Sequence, residues 1–528
     1  KKMAQDPFRF RYLRMRADAG QAFLRGIATC AHVHEKDGTI LLALGFADGE
    51  VIIVDSYGIE QCRWRAHATP VNSISSDING YHFASCSDDG NVAVRQIYNE
   101  ENNNIHNNNI SSFLDDTLET QSFNQPLECL QIDPYYNNKN KNEKVFITGG
   151  PQGQLILSRK NWFNQKDVIL HDGEGPITCI NWYNSFLAWS NDRGIKIINI
   201  ETNEKITFVE RPPNEEPNSC KLIWESDVSL IIIWDRTIQL IQQCSMVLSP
   251  GEEPRTCAQI IKVWEVGIDH TICGLIPFDI NTFAVLCIVN EYDEDNENEN
   301  DEDDHSPMPE LQLRNRFTGE LLLTPDALPM KNFEQLMPNQ FFLQATPITQ
   351  TPTTNAREAI LKAPTLFIVS SNEIIVGKIR DYDDQITIAL SEHKYREALE
   401  IARSHPLLLR RHRLPDIIQQ YLEDLLYHEE YTEAASICPI LFKHDIHAWE
   451  FWILRFMKLN QLHVLAPYIP TESPTKLEVT TYQLVLDHFI ATNSIAFLST
   501  IKLWGAIDKS NHNNNHQNKN KNHSNSKS

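Results

Sequence analysis

Ser85–Ile97 reads SCSDDGNVAVRQI, a run of small residues, the pair Asp89-Gly90, then Val92, Ala93 and Val94. An Asp-Gly pair between such runs is a strong short-range hairpin signal, because a type I′ turn needs positive φ at both central positions. The segment is expected to be strand, tight turn, strand. Outward from it the same pattern recurs as GFADGEVIIVD (Gly45–Asp55), GGPQGQLILS (Gly149–Ser158), WSNDRGIKIINI (Trp189–Ile200) and IIIWDRTIQLIQ (Ile231–Gln242). The turn residues are Asp48, Asp89, Gln152, Asp192 and Asp235, at successive spacings of 41, 63, 40 and 43.

Three of those spacings match the ~40–45 residues of a WD40 blade. The longer one holds two Asn-rich inserts, Asn99–Asn109 and Asn137–Asn142, which cannot build a core and are expected as surface loops. Val51–Val54, Leu155–Leu157 and Ile195–Ile198 are nearly continuous in apolar content, as strands covered on both faces should be. His67 stands 22 residues before Asp89, and His171 stands 21 before Asp192. This resembles the WD40 pattern, in which a loop histidine bonds a strand serine and helps anchor the Asp turn. The position of the repeat's Trp is Arg95 in one copy and Ile198 in the other, so the network is incomplete. Neither histidine has a nucleophile motif beside it, and both are assigned structural roles.

Beyond Asp235 the copies blur. ICGLIPFDINTFAVLCIV (Ile272–Val289) with LQLRNRFTGELLL (Leu311–Leu323) reads as a sixth blade, and PTLFIVSSNEIIVGKI (Pro364–Ile379) as a seventh. The count is seven, with six and eight as alternatives. Near the N-terminus, FRFRYLRMR alternates basic and apolar residues and reads as a strand or a lead-in segment, not as a signal peptide.

From about Asp381 the apolar period changes from two to near 3.6. KYREALEIA (Lys394–Ala402) and EYTEAASIC (Glu430–Cys438) align position for position at a period of 36, the spacing of helical-repeat arrays. Leu414-Pro415 marks a helix start. His447–Ile469 and Thr480–Trp504 fit two further helix pairs, with Trp449, Trp452 and Phe456 on one helix face as a buried seam. The expected organisation is a seven-bladed WD40-type β-propeller over residues 1–380, the start of an α-solenoid over 381–509, and a disordered Asn-rich tail over 510–528.

The chain carries 70 acidic against 47 basic residues, a formal net charge of -23. That balance argues against nucleic acid as a partner. Glu291–Asp304 (EYDEDNENENDEDD) holds ten of the acids, and removing them still leaves -13. The run lacks the glycine of a calcium loop and reads as a solvated loop. Eleven cysteines occur with no C-x-x-C pair, which argues against a zinc site or a disulfide framework and for core thiols in a reducing compartment. The longest apolar stretches, such as Phe283–Val289, fall far short of the ~20 residues that cross a bilayer. There is no P-loop, H-E-x-x-H, G-x-S-x-G or G-x-G-x-x-G, so no enzyme, cofactor or metal site is expected.

Five strings are more specific than any single turn: FITGGPQGQLIL (Phe146–Leu157), LHDGEGPITCINW (Leu170–Trp182), FLAWSNDRGIKIINI (Phe186–Ile200), IIVGKIRDYDDQITIALSEHKYREALEIA (Ile374–Ala402) and LAPYIPTESP (Leu465–Pro474). Together they resemble the vacuolar protein sorting-associated protein 41 family, which supplies a subunit of the homotypic fusion and vacuole protein sorting (HOPS) tethering complex. The resemblance implies a cytoplasmic scaffold held peripherally on late endosomal, lysosomal or vacuolar membranes. Its implied partners are class C vacuolar sorting subunits, a Rab7-type GTPase, a vesicle adaptor complex and SNAREs. Family members continue the solenoid and often end in a zinc-binding RING-like domain, so this chain is expected to be a truncated form or fragment. The alternative is another propeller-solenoid subunit of a coat, a nuclear pore or ciliary transport.

Overall fold

The computed structural model describes residues 10–15, 26–36, 38–97, 118–136, 143–161, 165–246, 255–289, 308–331, 333, 336–347, 363–472 and 475–504. Two compact units divide at Arg380 and Asp381. The Asn-rich inserts, the acidic run 291–304 and the tail 510–528 lie outside the described residues.

The first unit is a seven-bladed propeller. Seven antiparallel four-stranded sheets follow one another in chain order: blade 1 over Ala28–Arg65, blade 2 over Val71–Ser122, blade 3 over Cys129–His171, blade 4 over Cys179–Glu210, blade 5 over Lys221–Glu265 and blade 6 over His270–Ala327. Blade 7 takes three strands from Phe341–Ile379 and its fourth, Phe10–Arg14, from the N-terminal part of the chain. The seven first strands touch one another in a closed circle, the first strand of blade 7 meeting that of blade 1. Second strands are the most enclosed; His82–Ser87 is buried at every position. Burial on both faces explains why these segments read as continuous apolar runs.

Side-chain donors on five of the first strands, those of blades 1 to 5, bond a carbonyl in or just ahead of the first strand of the next blade. Thr29 donates to the Val71 carbonyl at 2.6 Å, Asn72 to Leu127 at 2.9 Å, the Cys129 thiol to Ile177 at 3.3 Å and Asn181 to Leu222 at 2.8 Å. Lys221 donates in the same way to the Cys273 carbonyl. Burial pushes the thiols of Cys30 and Cys273 up to about 12 and that of Cys179 up to about 11, so they stay protonated and act as packing groups.

Closure rests on the strand Phe10–Arg14, which pairs antiparallel with Ile374–Ile379 in register Phe10↔Ile379 to Arg14↔Ile375. Its side chains also bind blade 6. Phe10 meets Phe278 edge-on at 5.5 Å, and the Tyr12 hydroxyl donates to the Asp326 carboxylate at 3.0 Å. Burial, reinforced by Asp326, pushes the Tyr12 phenol up. Arg14 pairs with Glu373 at 3.1 Å, and Arg380 donates to the Phe10 carbonyl at 3.1 Å.

The second unit is a series of helices: α1 (Tyr382–Ser391), α2 (Tyr395–Ser404), α3 (Leu414–Tyr427), α4 (Tyr431–Phe442), α5 (Ile446–Lys458), a short α6 (Leu462–Leu465) and α7 (Val479–Thr492), with residues 494–504 helical as well. The repeat of 36 extends into the turns, because α2 and α4 each follow a residue in left-handed conformation, His393 (φ 56°) and Glu429 (φ 62°). Asn460 (φ 58°) does the same after α5. Trp449, Trp452 and Phe456 are buried, with Phe442 edge-on to Trp449 at 5.2 Å. Asp383, which sequence reading passed over, is buried and accepts from the backbone N–H groups of Arg410, Arg411 and His412 at 2.7, 3.2 and 2.9 Å. It fixes the chain that returns from α2 to α3.

Two substitutions test ring closure. Phe10→Ala should cost about 3 kcal/mol through the cavity it leaves, and Tyr12→Phe about 1 kcal/mol through the carboxylate it leaves unpaired. Urea unfolding followed by tryptophan fluorescence reads both. Unchanged midpoints would mean that the N-terminal strand does not hold the ring.

Candidate functional site

Asp48, Asp89, Gln152, Asp192 and Asp235 each stand between the second and third strands of their blades. Equivalent connections in equivalent sheets open on one end of a propeller, together with the loops that lead from each fourth strand into the next blade. His67, His171 and Glu215 stand in or at the edge of those entering loops.

The second turn is the most completely bonded. His67 Nδ1 lies 3.3 Å from Asp89 Oδ1 and its Nε2 lies 2.8 Å from Ser85 Oγ. A carboxylate only accepts, so a neutral ring must donate from Nδ1 and accept the serine proton at Nε2. Asp89 also accepts from the N–H groups of Ala68 at 3.0 Å and Asn91 at 2.9 Å. Burial alone would raise the Asp89 carboxyl, but these donors and His67 outweigh it and hold it low. Burial pulls the His67 imidazole below its ordinary range, and Asp89 only partly offsets that. The order Ser-His-Asp matches a hydrolytic triad, yet Ser85 is 1% exposed and His67 4%. No substrate carbonyl reaches that hydroxyl, so the three groups anchor a turn. Gly90 is needed beside them: its φ is 77°, and a β-carbon there would stand 2.5 Å from the Phe123 carbonyl oxygen.

Arg95, at the position where a WD40 repeat carries Trp, lays its guanidinium over the Trp64 ring of blade 1 at 5.1 Å. The missing hydrogen bond is replaced by a contact between blades.

The other turns use different chemistry. In blade 1, Asp48 accepts from the N–H of Glu50 at 3.1 Å. In blade 3 the Gln152 side chain is exposed, and a backbone bond from Gly153 to Gly150 at 3.1 Å closes the turn. In blade 4, Asn191 and not Asp192 accepts from the turn N–H groups, those of Arg193 at 3.0 Å and Gly194 at 3.2 Å. His171 donates to the Gly173 carbonyl at 3.0 Å and stands 5.6 Å from the Trp189 ring, while Glu174 accepts from Asn191 at 3.1 Å. The structure therefore places His67 with Asp89 but does not place His171 against Asp192.

In blade 5 the anchor is Glu215, buried at 5% exposure, which accepts from the Arg236 N–H at 3.2 Å and from the Thr237 hydroxyl. Burial raises the Asp235 carboxyl, and the neighbouring Glu215 raises it further. Glu215 stands 20 residues before Asp235, close to the histidine distances, so its position was the available signal and its residue type hid it. Among the described residues no cluster of His, Cys, Asp and Glu is arranged to hold a metal ion, and no helix is long and apolar enough to cross a membrane.

The Vps41 propeller family model, described as "Vps42 beta-propeller", matches residues 10–378. The chain belongs to the Vps41 family. The family's TPR-like region matches residues 416–526. A Vps41 homologue of Arabidopsis thaliana is 30% identical over 516 residues, covering 95% of this chain and 50% of the relative. The human homologue is 27% identical over 94% of the chain and 53% of its own length. The Schizosaccharomyces pombe protein is 26% identical over 87% and 49%. The chain thus spans about half the length of the Vps41 relatives it matches.

Two outcomes test the anchored turn. Asp89→Ala should lower stability by about 1–2 kcal/mol, because the N–H groups of Ala68 and Asn91 lose their acceptor; an unchanged melting temperature would count against the assignment. The pH dependence follows from burial of neutral histidines. The His67 imidazole is lowered, and that of His32 is pulled down to about 4, first by burial and then by His34. The unfolded chain therefore binds these protons first. Their contribution is complete above the ordinary histidine value of ~6.5 and is lost as pH falls toward about 4. Thermal melts between those limits should show declining stability, with a shallower decline in His67→Asn.

Proposed function

We propose that this chain is a non-enzymatic scaffold of the HOPS membrane-tethering complex, working in protein sorting to the vacuole or lysosome. The match of the Vps41 propeller model to residues 10–378 carries the reading. Relatives named as vacuolar protein sorting-associated protein 41 in plants, animals and yeast support it. The propeller contributes a rigid ring whose turns are tied by side chains, and the helical unit contributes extended faces; both suit protein docking more than chemistry. On this reading the five turn residues and the two histidines are structural, and the partners are other class C subunits, a Rab7-type GTPase, adaptor-coated vesicles and SNAREs. The protein acts on the cytoplasmic side of late endosomal, lysosomal or vacuolar membranes.

Charge supports recruitment by protein rather than by lipid. Anionic leaflets attract polybasic segments by about 1 kcal/mol per cation, whereas this chain has a formal net charge of -23.

Affinity purification of the tagged chain should recover class C sorting subunits; recovery of coat or nuclear-pore cage subunits instead would move it to another assembly. Flotation with anionic liposomes should require a prenylated, GTP-loaded Rab7-type GTPase. Strong flotation of the chain alone would make the lipid the receptor.

A further inference from the structure

Among the described residues of the helical unit, one stripe of each helix supplies the core, and a second surface carries exposed apolar side chains. On α5 the core stripe is Trp449, Trp452, Ile453 and Phe456. Phe451 and Leu454 point the other way and are 51% and 45% exposed. Two bonds fix what lies beside them. Arg455 of α5 bonds Glu423 of α3 at 2.7 Å, a step of 32 residues, and Thr481 of α7 bonds Glu450 of α5 at 3.1 Å, a step of 31. The first step sets Gln419 and Gln420 level with Phe451. The second sets Leu484, 42% exposed, level with Ile453 and so one residue along from Leu454. Phe451, Leu454 and Leu484 therefore form one apolar strip across two helices.

On α3, which Arg455 joins to α5, the surface is acidic. A groove of about 450 Å³ is lined by Tyr395, Asp416, Gln419, Gln420, Glu423 and Asp424. In its aromatic wall Tyr395 stacks on Tyr421 at 5.2 Å with planes 14° apart. Arg455 partly offsets the carboxylates through Glu423, and the ring nitrogens of His393 and His428 stand 3.4 Å and 3.7 Å from Asp424. Three carboxylates, Asp416, Glu423 and Asp424, stand against the single arginine, so the groove keeps a negative balance.

We propose that this face of α3, α5 and α7 is a docking surface for a basic amphipathic helix of a partner protein. A helix laid across it would set apolar residues, one turn apart, on Phe451, Leu454 and Leu484, and direct lysine or arginine at its edge toward Asp416, Glu423 and Asp424. Charge complementarity decides the class of occupant. An anionic membrane or a nucleic acid would meet the apolar strip only by bringing its own negative charge against the groove. An acidic helix fails for the same reason. Nothing in this surface depends on which assembly the chain joins, so the test stands apart from that of the tethering role.

The test is fluorescence anisotropy of the whole chain with a labelled leucine-lysine peptide of about 18 residues, patterned at the helical period. Its controls are a scrambled peptide of equal composition and a leucine-glutamate analogue. The patterned basic peptide should bind at least about 10-fold more tightly than either control. Affinity should fall about 10-fold in Phe451→Ser/Leu454→Ser, and salt sensitivity should weaken in Asp416→Asn/Asp424→Asn. These residues are outside the core, and unchanged melting temperatures will show that the variants fold. Hydrogen exchange should slow in α5 and α7 when the peptide binds. Equal binding of the scrambled peptide, no binding of any peptide, or indifference to the substitutions overturns the proposal. So does binding of anionic vesicles that the Phe451→Ser/Leu454→Ser change abolishes, since that would give the face to lipid.

Discussion

Everything in the propeller depends on the ring being closed. A blade whose two faces are apolar is stable only between two neighbours, so an open chain of six and three-quarter blades would leave two apolar faces in water. The pairing of Phe10–Arg14 with Ile374–Ile379 removes that problem by making the most distant parts of the first unit adjacent in one sheet. The strand is also bound sideways to blade 6 through Phe278 and Asp326. Closure is thus cooperative with the packing of two blades and not a single row of hydrogen bonds.

Within the closed ring, one local problem recurs in the blades and is solved by different chemistry. A tight turn between the second and third strands exposes N–H groups that need an acceptor. Blade 2 meets it with Asp89 held by His67, blade 4 with Asn191, blade 5 with Glu215 reaching in from the entering loop, and blade 3 with its own backbone. The geometry conserved between blades is a donor facing an acceptor, not a residue type. That is why the Ser85, His67 and Asp89 arrangement, despite its triad-like order, belongs with the other anchors: its chemistry is enclosed and its neighbours do the same task without a serine.

The helical unit follows another rule. Left-handed residues at His393, Glu429 and Asn460 set the angle between helices, and Ala398, Ala402, Ala434, Ala435 and Cys438 are buried where helices approach closely. With the core confined to one stripe per helix, the opposite stripe is released from folding. Phe451 and Leu454 stand on the exposed stripe of α5, which Arg455 joins to the acidic residues of α3.

The blade period, the strand-turn-strand units, the change to a helical period near Asp381 and the two copies at a period of 36 were all legible in sequence, because each depends on spacing along a few tens of residues. The sixth blade was legible only as two apolar segments split by the acidic run, since the segment between Val289 and Met308 carries that run where other blades carry a short turn. The fourth strand of blade 7 was visible only as a strand or lead-in segment, because its partner lies more than three hundred residues away, and pairing at that range leaves no local pattern. At a spacing of 22 residues, His67 stands 3.3 Å from Asp89. A spacing of 21 did not bring His171 to Asp192, because Asn191 already supplies the acceptor that this turn needs. Local order along the chain determined which elements form; which side chain completes each turn, and which strand closes the ring, was decided only when distant groups competed for the same buried hydrogen-bonding atoms.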